Sequence, residues 1–297
     1  MNARDLAAYL LLAVIWGLSF VVLVRVNQAF GWAGTVSFRC LIAGLVVLAY
    51  SLLARKRLRF DRAWRHYLVI GATTVAGQLV GFTYATPIIG TAMAAVFAAA
   101  IPLFSLLMGW LWRLEAATPA KLVGLALGFV GMVLLVGFPT AESTGMFFRG
   151  CGSALLAALS AAFGSNYASV HMRGAGAAET TIVTFLLGGV FTLPLIAGVP
   201  LPGVPALPDY FYLLIIGGVM SGVAYLLYFR LVERIGATRT VSVEFLVTVI
   251  AVFVGTCILG EELSGVQLLG GAVIVTGCAL VLDLGALFRS SEKRCDG

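Results

Sequence analysis

Ten apolar segments, each long enough to cross a lipid bilayer as a helix, constrain this chain more than any other feature. A helix needs about 20 residues to cross the ~30 Å hydrocarbon core of a membrane. The connections between the segments are short, so neighbouring helices are expected to run antiparallel. The approximate bounds of the segments are 6–25, 35–54, 67–86, 89–111, 120–138, 150–170, 178–198, 210–230, 237–258 and 266–285.

The composition leaves too little polar surface to cover a water-soluble core. Hydrophobic residues make up 61% of the chain and charged residues 11%, against about 25% charged residues in a soluble domain. We therefore predict an all-α integral membrane protein with ten transmembrane helices and the lipid bilayer as its surroundings. The sequence has no C-x-x-C pair, no phosphate-binding glycine loop and no His/Asp pair within a segment. We therefore predict no bound metal, no cofactor and no enzymatic activity.

One stretch of sequence occurs twice, before the fifth and the tenth apolar segments. Residues 115–131 read EAATPAKLVGLALGFVG, and residues 261–277 read EELSGVQLLGGAVIVTG. At an offset of 146 they share five residues, including the first Glu and two glycines seven residues apart. The hydroxyl residues Thr118 and Ser264 are predicted to cap the helices that follow. Glu261 and Glu262 are expected to serve the start of the tenth helix. The glycines predict close helix packing, because they fall near one face of each helix.

Other residue pairs extend this repeat over the whole chain. Trp16-Gly17 corresponds to Phe163-Gly164, and Gly71 corresponds to Gly217, at offsets of 147 and 146. Each half then holds five segments, and because five is odd the second half must enter the membrane from the opposite side. We predict two inverted five-helix repeats and a cytoplasmic tail, with bounds 1–140, 150–286 and 287–297. In secondary transporters with such repeats, the substrate site lies between the halves near the membrane midplane.

The distribution of positive charge predicts the orientation of the chain. If the N-terminus is cytoplasmic, 16 of the 19 Lys and Arg residues fall on the cytoplasmic side. The other three are Arg25, Arg39 and Arg149. Cytoplasmic loops of membrane proteins carry an excess of Lys and Arg, so we expect both termini to be cytoplasmic. We interpret the net charge of +6 as a signal of membrane orientation and predict no binding of nucleic acid.

Four short motifs carry a resemblance to a known family. They are Trp16-Gly17-Leu18-Ser19-Phe20, Phe38-Arg39, Pro102, and the run Gly260-Glu261-x-Leu263-Ser264. With its ten segments and its repeat, the chain resembles the drug/metabolite transporter superfamily, in its ten-span EamA-type branch. The resemblance covers nearly the whole chain. Two positions depart from the usual pattern: Thr248 stands where the second half usually carries a proline, and Arg113-Leu114-Glu115 replaces the usual Gly-Glu.

The resemblance implies a secondary transporter of the inner membrane that works by alternating access. Its expected activity is the export of amino acids or related small metabolites. Efflux of amphipathic drugs or toxic compounds is the alternative. A membrane-embedded enzyme that modifies lipids is a remote alternative, because no segment carries an acid/base pair. The sequence contains no signal for an oligomeric state.

Seven polar or aromatic residues are predicted to line the substrate cavity. They lie at similar depth in symmetry-related segments, and their amphipathic side chains suit a cavity for small solutes. An ordinary packing role or a helix–helix hydrogen bond is the alternative for each of them. The seven residues are Trp16, Ser19, Gln78, Asn166, Tyr167, Tyr225 and Tyr228.

Three further residues have special properties within the apolar segments. Pro102 lies in the middle of the fourth segment and is predicted to kink that helix, because proline removes a backbone donor. Glu244 lies about one turn from the cytoplasmic edge and is the expected proton-coupling group, because a carboxylate within a membrane segment is costly. Arg39 lies about one turn from the outer edge and is predicted as an outer-side charge. Both charged side chains have the alternative of extending to the membrane interface.

Overall fold

A computed structural model gives the three-dimensional structure of the chain and describes residues 3–60, 63–114, 118–137, 145–199, 201–236 and 240–281. Glu115 and the predicted tail 287–297 lie outside the described residues. Those described form helices and connecting turns, with no strand among them. The helices are α1 (Ala3–Leu53), α2 (Trp64–Ile89), α3 (Thr91–Leu111), α4 (Pro119–Gly137), α5 (Gly145–His171), α6 (Ala177–Gly198), α7 (Leu207–Ile235), α8 (Val243–Cys257) and α9 (Gly265–Val281).

Six of these helices are long and apolar enough to cross a membrane, namely α1, α2, α3, α5, α6 and α7. The remaining three, α4, α8 and α9, contain shorter apolar stretches. This arrangement confirms the prediction of an all-helical, multi-pass membrane protein.

The bundle has two opposite ends that are defined by the antiparallel pair α2 and α5. Near the start of α5, Gly150 packs against Ile89 at the end of α2. Near the end of α5, the Tyr167 hydroxyl forms a 2.8 Å hydrogen bond with His66 Nδ1 at the start of α2. Since α2 has 26 residues, these contacts lie roughly 35–40 Å apart. We call the end near Gly150 and Ile89 the Glu261 end, and it includes Gly90 and Glu261. We call the opposite end the Arg173 end, and it includes His66, Arg173 and Gly236.

Helix α1 folds back on itself at Gly31. A straight helix of its 51 residues would be about 75 Å long, more than twice the thickness of a bilayer core. Gly31 has φ 65° and interrupts the helix. Asp5 forms a 3.2 Å ion pair with Arg234, and the Arg59 backbone N–H donates to Glu179 Oε1. Arg234 and Glu179 both lie at the Arg173 end. The N-terminal arm of α1 (3–30) therefore starts at that end, and the C-terminal arm (32–53) finishes there.

The most buried helix of the bundle is α3. Residues 91–106 are all buried, and they include small residues that allow several helices to approach closely. The helix is interrupted at Ala99 and Ala100 and resumes at Ile101. Pro102 explains this break, because its ring would clash with the Ala98 carbonyl in a continuous helix.

Helices α4 and α9, which follow the two copies of the repeated stretch, pack against each other through their glycines. A Cβ on Gly131 would lie 2.6 Å from the Gly270 carbonyl oxygen, and a Cβ on Gly277 would lie 2.5 Å from the Gly124 carbonyl oxygen. The predicted close approach is therefore present, and only glycine fits at these contacts. The pairing of Gly131 with Gly270 and of Gly124 with Gly277 also makes α4 and α9 antiparallel.

Both predicted helix caps are also present. Ser264 Oγ accepts a hydrogen bond from the Gln267 N–H at 3.1 Å, and Gln267 Oε1 accepts one in return from the Ser264 N–H at 3.0 Å. Thr118 Oγ1 accepts from the Lys121 N–H at 3.4 Å. The start of α9 is therefore capped by a reciprocal capping box, whereas the start of α4 has a single, longer bond.

Candidate functional site

A central cavity lies where the two arms of α1 meet α2, α3, α7 and α8. Its volume is about 50 Å³, and a water molecule occupies about 10–15 Å³ of such a space. The lining combines four aromatic rings, two charged side chains and two neutral polar ones: Trp16, Phe20, Phe82, Tyr225, Arg39, Glu244, Ser19 and Gln78. A smaller adjoining cavity of about 10 Å³ extends to Tyr228.

Trp16 and Tyr225 of this cavity belong to one connected cluster of aromatic rings. The Trp16 ring lies 5.3 Å from Tyr225 and 5.6 Å from Tyr228, measured between ring centroids. Phe185 packs edge-on against Tyr225 at 4.8 Å. The Tyr225 hydroxyl donates to Gln78 Oε1 at 3.2 Å. Four of the predicted cavity residues, from α1, α2 and α7, therefore lie together.

Two irregular helical segments position Gln78 and Tyr225. Residues Gly71–Gly77 of α2 and Ile215–Val223 of α7 are π-helical, with more residues per turn than an α-helix. Gln78 directly follows the first segment, and Tyr225 follows the second after one residue. Such π-helical segments are rare and are frequent at functional sites, because they shift the side chains that follow.

Arg39 and Glu244 both face the central cavity, which the predicted positions near the membrane edges did not anticipate. Arg39 is 5% exposed and Glu244 is 6% exposed. Arg39 Nε donates to Ser221 Oγ in the π-helical segment of α7. The close packing of α1 against α7 covers Arg39, and its place on the outer side of the membrane stays a prediction.

The other predicted cavity residues are partly bound to their own surroundings. Ser19 lines the cavity, but its hydroxyl donates to the Trp16 carbonyl of its own helix at 2.7 Å. The Tyr228 hydroxyl forms a 2.7 Å hydrogen bond with Ser165 Oγ. Ser165 therefore belongs to the wall of the adjoining cavity, although the sequence analysis did not select it.

Asn166 and Tyr167 do not reach the central cavity. The Asn166 amide donates to Ser105 Oγ at 2.9 Å and to the Ser105 carbonyl at 3.1 Å, which fixes α5 to α3. The Tyr167 ring stacks on His171 with a centroid distance of 4.1 Å. Neighbouring residues of a helix point about 100° apart, so Ser165 faces the central region while Asn166 and Tyr167 face elsewhere.

A larger cavity opens at the Arg173 end. Its volume is about 500 Å³, and its lining includes Asn166, Ser169, Arg173, Thr180 and Glu233. We call it the end cavity. Its wall comes from α5, α6 and α7, and Asn166 in this wall directly follows Ser165 in the wall of the central region. The end cavity was not predictable from the sequence. Its polar residues lie toward helix ends, where polar residues are common and do not indicate a cavity.

The opposite end holds Glu261 against the start of α3. Its carboxylate oxygens accept hydrogen bonds from the backbone N–H groups of Thr91 and Ala92, at 2.7 and 2.8 Å. The first N–H groups of a helix have no partner within the helix, and their positive end attracts a carboxylate. The sequence analysis assigned Glu261 to the helix that follows it, α9. This assignment is wrong, because Ser264 and Gln267 cap α9 and Glu261 caps α3 in the other half.

Comparison with known families identifies the source of this architecture. The sequence profile described as the EamA-like transporter family matches residues 5–137 and again residues 148–283. The two matches together cover most of the chain, and each lies within one of its two halves.

Three relatives match nearly end to end. The chain is 29% identical over 278 residues to the uncharacterized inner membrane transporter YedA of Escherichia coli, covering 91% of this chain and 88% of YedA. It is 28% identical over 288 residues to the uncharacterized transporter YvbV of Bacillus subtilis, with the same coverage of 91% and 88%. It is 26% identical over 299 residues to the protein PecM of Dickeya dadantii, covering 99% of this chain and 96% of PecM.

A solved structure shares the fold. A protein known from a crystal structure superimposes with a TM-score of 0.68 over 96% of this chain and 99% of its own, at 18% sequence identity. At that identity the likeness extends to the fold alone.

Proposed function

We propose, since this chain belongs to the EamA-like transporter family, that it moves a small metabolite across the inner membrane by alternating access around the central cavity. Membership of the family makes the protein a transporter. The observation that supports the proposed site is a buried cavity with opposite charges and aromatic rings, built by helices from both halves. Outward transport of amino acids or related metabolites is the direction and substrate class that the family resemblance implies.

Alternating access requires two halves that can exchange roles. We therefore propose that the chain has ten spans, arranged in two inverted repeats with bounds 1–140 and 150–286. Three features support this proposal. The two π-helical segments, Gly71–Gly77 and Ile215–Val223, occupy equivalent positions. Gly90 and Gly236, 146 residues apart, have φ values of 85° and 88°. Gly90 ends α2 at the Glu261 end, whereas Gly236 ends α7 at the Arg173 end, so the equivalent helices run in opposite directions.

We propose that the Arg173 end is cytoplasmic, together with both termini. This orientation is supported by the excess of Lys and Arg in the connections at that end. A reporter fused after Gly297 should be active only in the cytoplasm, and one inserted in the 199–205 loop should be active only outside. The reverse pattern of activity would contradict this orientation.

We propose that Glu244 is the proton-coupling group. It is 6% exposed, its carboxylate faces the central cavity, and its counterpart in the first half is Ala98. An ionisable side chain within a membrane segment is costly to bury and is therefore a functional candidate by default. In vesicles, Glu244→Gln should remove accumulation driven by a pH gradient while exchange at saturating substrate persists. Unchanged accumulation in this variant would exclude Glu244 from coupling.

Efflux of amphipathic toxic compounds is a second candidate function. The cluster of Trp16, Tyr225 and Tyr228 supports it, because aromatic rings bind apolar cations as well as metabolites. Growth of an overexpressing strain on toxic amphipathic cations distinguishes the two functions. Resistance that depends on Trp16, without any change in exported metabolites, would favour efflux of toxic compounds.

The experiment that tests the proposal compares metabolites inside and outside cells that overexpress the protein. At least one small metabolite should accumulate in the medium of cells with the wild-type protein. Cells with the Trp16→Ala variant should lose most of this accumulation, because the variant removes the ring that contacts Tyr225 and Tyr228. Trp64→Ala, which removes an exposed ring at the start of α2, is the matched control and should leave the accumulation unchanged. Identical metabolite profiles for all strains would contradict the proposal.

A further inference from the structure

The connection between α1 and α2 carries a dense group of positive charges. Residues 55–65 read RKRLRFDRAWR, with six basic residues and one acidic residue. The connection lies at the Arg173 end, where the C-terminal arm of α1 finishes and α2 begins. Five of the basic side chains are described by the structure and are exposed, and we call this group the basic turn: Arg55, Lys56, Arg57, Arg59 and Arg65.

The basic turn has no negative partner within the described part of the chain. At the same end of the bundle, exposed Arg234 forms an ion pair with Asp5 at 3.2 Å. No such ion pair involves a side chain of the basic turn among the described residues. Glu179 of α6 does contact the turn, but its carboxylate accepts from the Arg59 backbone N–H at 3.1 Å and not from a guanidinium. The nearby carboxylate therefore anchors the backbone and leaves the side-chain charges unpaired.

Backbone hydrogen bonds fix the start of the basic turn at the end of α1. The Arg55 N–H donates to the Leu52 carbonyl at 3.0 Å, and the Lys56 N–H donates to the Ser51 carbonyl at 2.9 Å. The Lys56 ammonium lies 4.7 Å from the centre of the Tyr50 ring. With the bond of Arg59 to α6, these contacts hold the turn at both ends, so its charges are presented from a fixed backbone.

Arg55 has a backbone conformation that normally favours glycine. Its φ is 49°, and Arg113 is the only other residue besides glycine with a positive φ in the described ranges. Helices commonly end with glycine at such a position, because a side chain is strained there. A cation at the end of a helix is stabilised by the helix dipole, but Lys56 already supplies one. The guanidinium of Arg55 therefore indicates a negative partner outside the chain.

Exposed apolar side chains adjoin the charges of the basic turn. Leu52 and Leu53 at the end of α1 are 63% and 85% exposed, and Phe60 is 51% exposed. Apolar and aromatic side chains beside basic residues, at the end of a membrane-length helix, are typical of the region where the hydrocarbon core meets the lipid headgroups. The charges of the turn therefore lie at the level of the headgroups.

We propose that the basic turn binds the phosphate headgroup of an anionic phospholipid such as phosphatidylglycerol. Clusters of about four to eight Lys and Arg residues next to a membrane helix are typical of such sites, and a guanidinium bonds to phosphate oxygens through two parallel N–H groups. A soluble acidic partner would satisfy the charges but leave Leu53 and Phe60 uncovered, whereas a lipid contacts both. The inference depends on neither the transported substrate nor the direction of transport.

The first test uses Trp64, which directly precedes Arg65 and is 73% exposed, as a fluorescent reporter without a charge. The purified protein is reconstituted in bilayers of phosphatidylglycerol and phosphatidylcholine with one lipid brominated at a time, because bromine quenches nearby tryptophan. The difference between the wild type and Trp64→Phe isolates the signal of Trp64. Both leaflets have the same composition, so the orientation of the protein does not affect the result.

Brominated phosphatidylglycerol should be enriched next to Trp64 at least about fivefold over brominated phosphatidylcholine at equal fraction, which corresponds to one Lys or Arg near an anionic surface. Equal quenching of Trp64 by the two brominated lipids would overturn the inference.

The second test assigns the preference to the basic turn. The double variant Arg55→Gln and Arg57→Gln should lower the preference for phosphatidylglycerol at least about fivefold. The matched control is the double variant Arg4→Gln and Arg230→Gln, which removes two exposed charges at the same end and should leave the preference unchanged. An equal loss in both double variants would show a general attraction to the positive end of the bundle, and the assignment to the turn would be overturned.

The third test separates lipid binding from a structural role of Arg55. Arg55→Gly removes the guanidinium and suits the φ of 49°, so thermal stability in detergent should stay equal or rise while the lipid preference falls. An unchanged preference in this variant would overturn a role for Arg55 in binding lipid.

A competition experiment distinguishes a lipid from a soluble phosphate. Inorganic phosphate is added at constant ionic strength, because screening by salt alone weakens exposed charge interactions. The preference for phosphatidylglycerol should persist, since the lipid is held at the surface of the bilayer. Loss of the preference would show that the turn binds a soluble phosphate, and the inference would be overturned.

Discussion

The two ends of the bundle differ in how the chain closes them. At the Glu261 end, a carboxylate from the second half bonds to the first two N–H groups of α3 from the first half. Gly255 packs closely there, because a Cβ on it would lie 2.8 Å from Glu261 Oε2. At the Arg173 end, α5, α6 and α7 surround a cavity of about 500 Å³.

This difference indicates from which end of the bundle a molecule can reach the central cavity. The end cavity reaches Asn166, the neighbour of Ser165 in the wall of the central region. Phe229 of the end cavity likewise directly follows Tyr228 of the adjoining cavity, so the two spaces share lining helices α5 and α7. At the other end, the hydrogen bonds of Glu261 join the halves directly. Under the proposed alternating access, we therefore expect the substrate to pass through the end cavity.

The largest effect is expected from blocking the end cavity. Ala175 lines this cavity, and Ala175→Trp would place a large ring in its opening. Exchange of the exported metabolite, measured with a radiolabel in proteoliposomes, should fall to the level of vesicles without protein. Val190→Trp, which adds the same ring to an exposed face of α6, should leave exchange unchanged. Normal exchange by the Ala175→Trp variant would show that substrate does not pass through the end cavity.

The next largest effect is expected at the Glu261 end. Glu261→Ala removes two hydrogen bonds to a charged acceptor, each worth about 1.5–3 kcal/mol, and its favourable position at the helix start. We expect the free energy of unfolding in detergent to fall by about 2–4 kcal/mol. Denaturant or thermal unfolding monitored by helical circular dichroism measures this change.

The control for this variant is the neighbouring carboxylate. Glu262 is exposed, and interactions of exposed charges contribute at most about 1 kcal/mol, so Glu262→Ala should lower the free energy of unfolding by no more than that. Glu261→Gln keeps one acceptor oxygen and should lie between the two. Equal stability of the Glu261 and Glu262 variants would contradict the view that Glu261 holds the halves together at this end.

The contrast between Glu261 and Ser264 shows how far sequence reasoning reaches. The cap formed by Ser264 was predictable, because a hydroxyl residue before an apolar run bonds to N–H groups a few residues later. The role of Glu261 was not, because its partners Thr91 and Ala92 lie about 170 residues away in the chain. Local patterns determine local bonds, whereas contacts between the halves depend on how the whole bundle packs.

The cavity residues show the same limit. Trp16, Gln78 and Tyr225 were found because the repeat offset places them at matching depth, and the structure brings them together. Asn166 instead bonds to Ser105 of α3 and lines the end cavity. Helix α5 carries Ala, Gly and Ser on several faces, so its sequence does not mark one inward face by a 3.6-residue period. The burial of Arg39 was not predictable for another reason, because a charge count gives orientation and not burial.

A moderate effect on transport is expected from removing the hydrogen bond from Tyr225 to Gln78. This bond lies in the central cavity, between the two ends. Tyr225→Phe keeps the ring against Trp16 and removes only the hydroxyl, which contributes about 0.5–1.5 kcal/mol. Exchange of the exported metabolite should fall by up to about tenfold. Tyr210→Phe, which removes an exposed hydroxyl, is the matched control. A larger loss than this would indicate that the hydroxyl contacts the substrate itself.

The smallest effect compares equivalent helix starts at the two ends. Helices α4 and α9 are antiparallel, so Ser264 lies at the Glu261 end and Thr118 at the Arg173 end. Ser264 has a 3.1 Å bond to the Gln267 N–H with a reciprocal bond from that residue. The Thr118 bond is longer, at 3.4 Å, and exposed. Ser264→Ala should therefore lower the free energy of unfolding by about 1 kcal/mol, and Thr118→Ala should lower it by less than half as much.

The reason for this order is geometric. A hydrogen bond at 3.4 Å is beyond the usual N–H···O range of about 2.7–3.2 Å, so little stabilisation is lost when it is removed. The two variants are compared by denaturant unfolding of the purified protein in one detergent. Gln267→Ala completes the comparison, because it removes the reciprocal bond and leaves the Ser264 cap in place. If Thr118→Ala lowers the free energy of unfolding as much as Ser264→Ala does, the helix starts at the two ends contribute equally to stability. The difference in stability between the ends then comes from Glu261 alone.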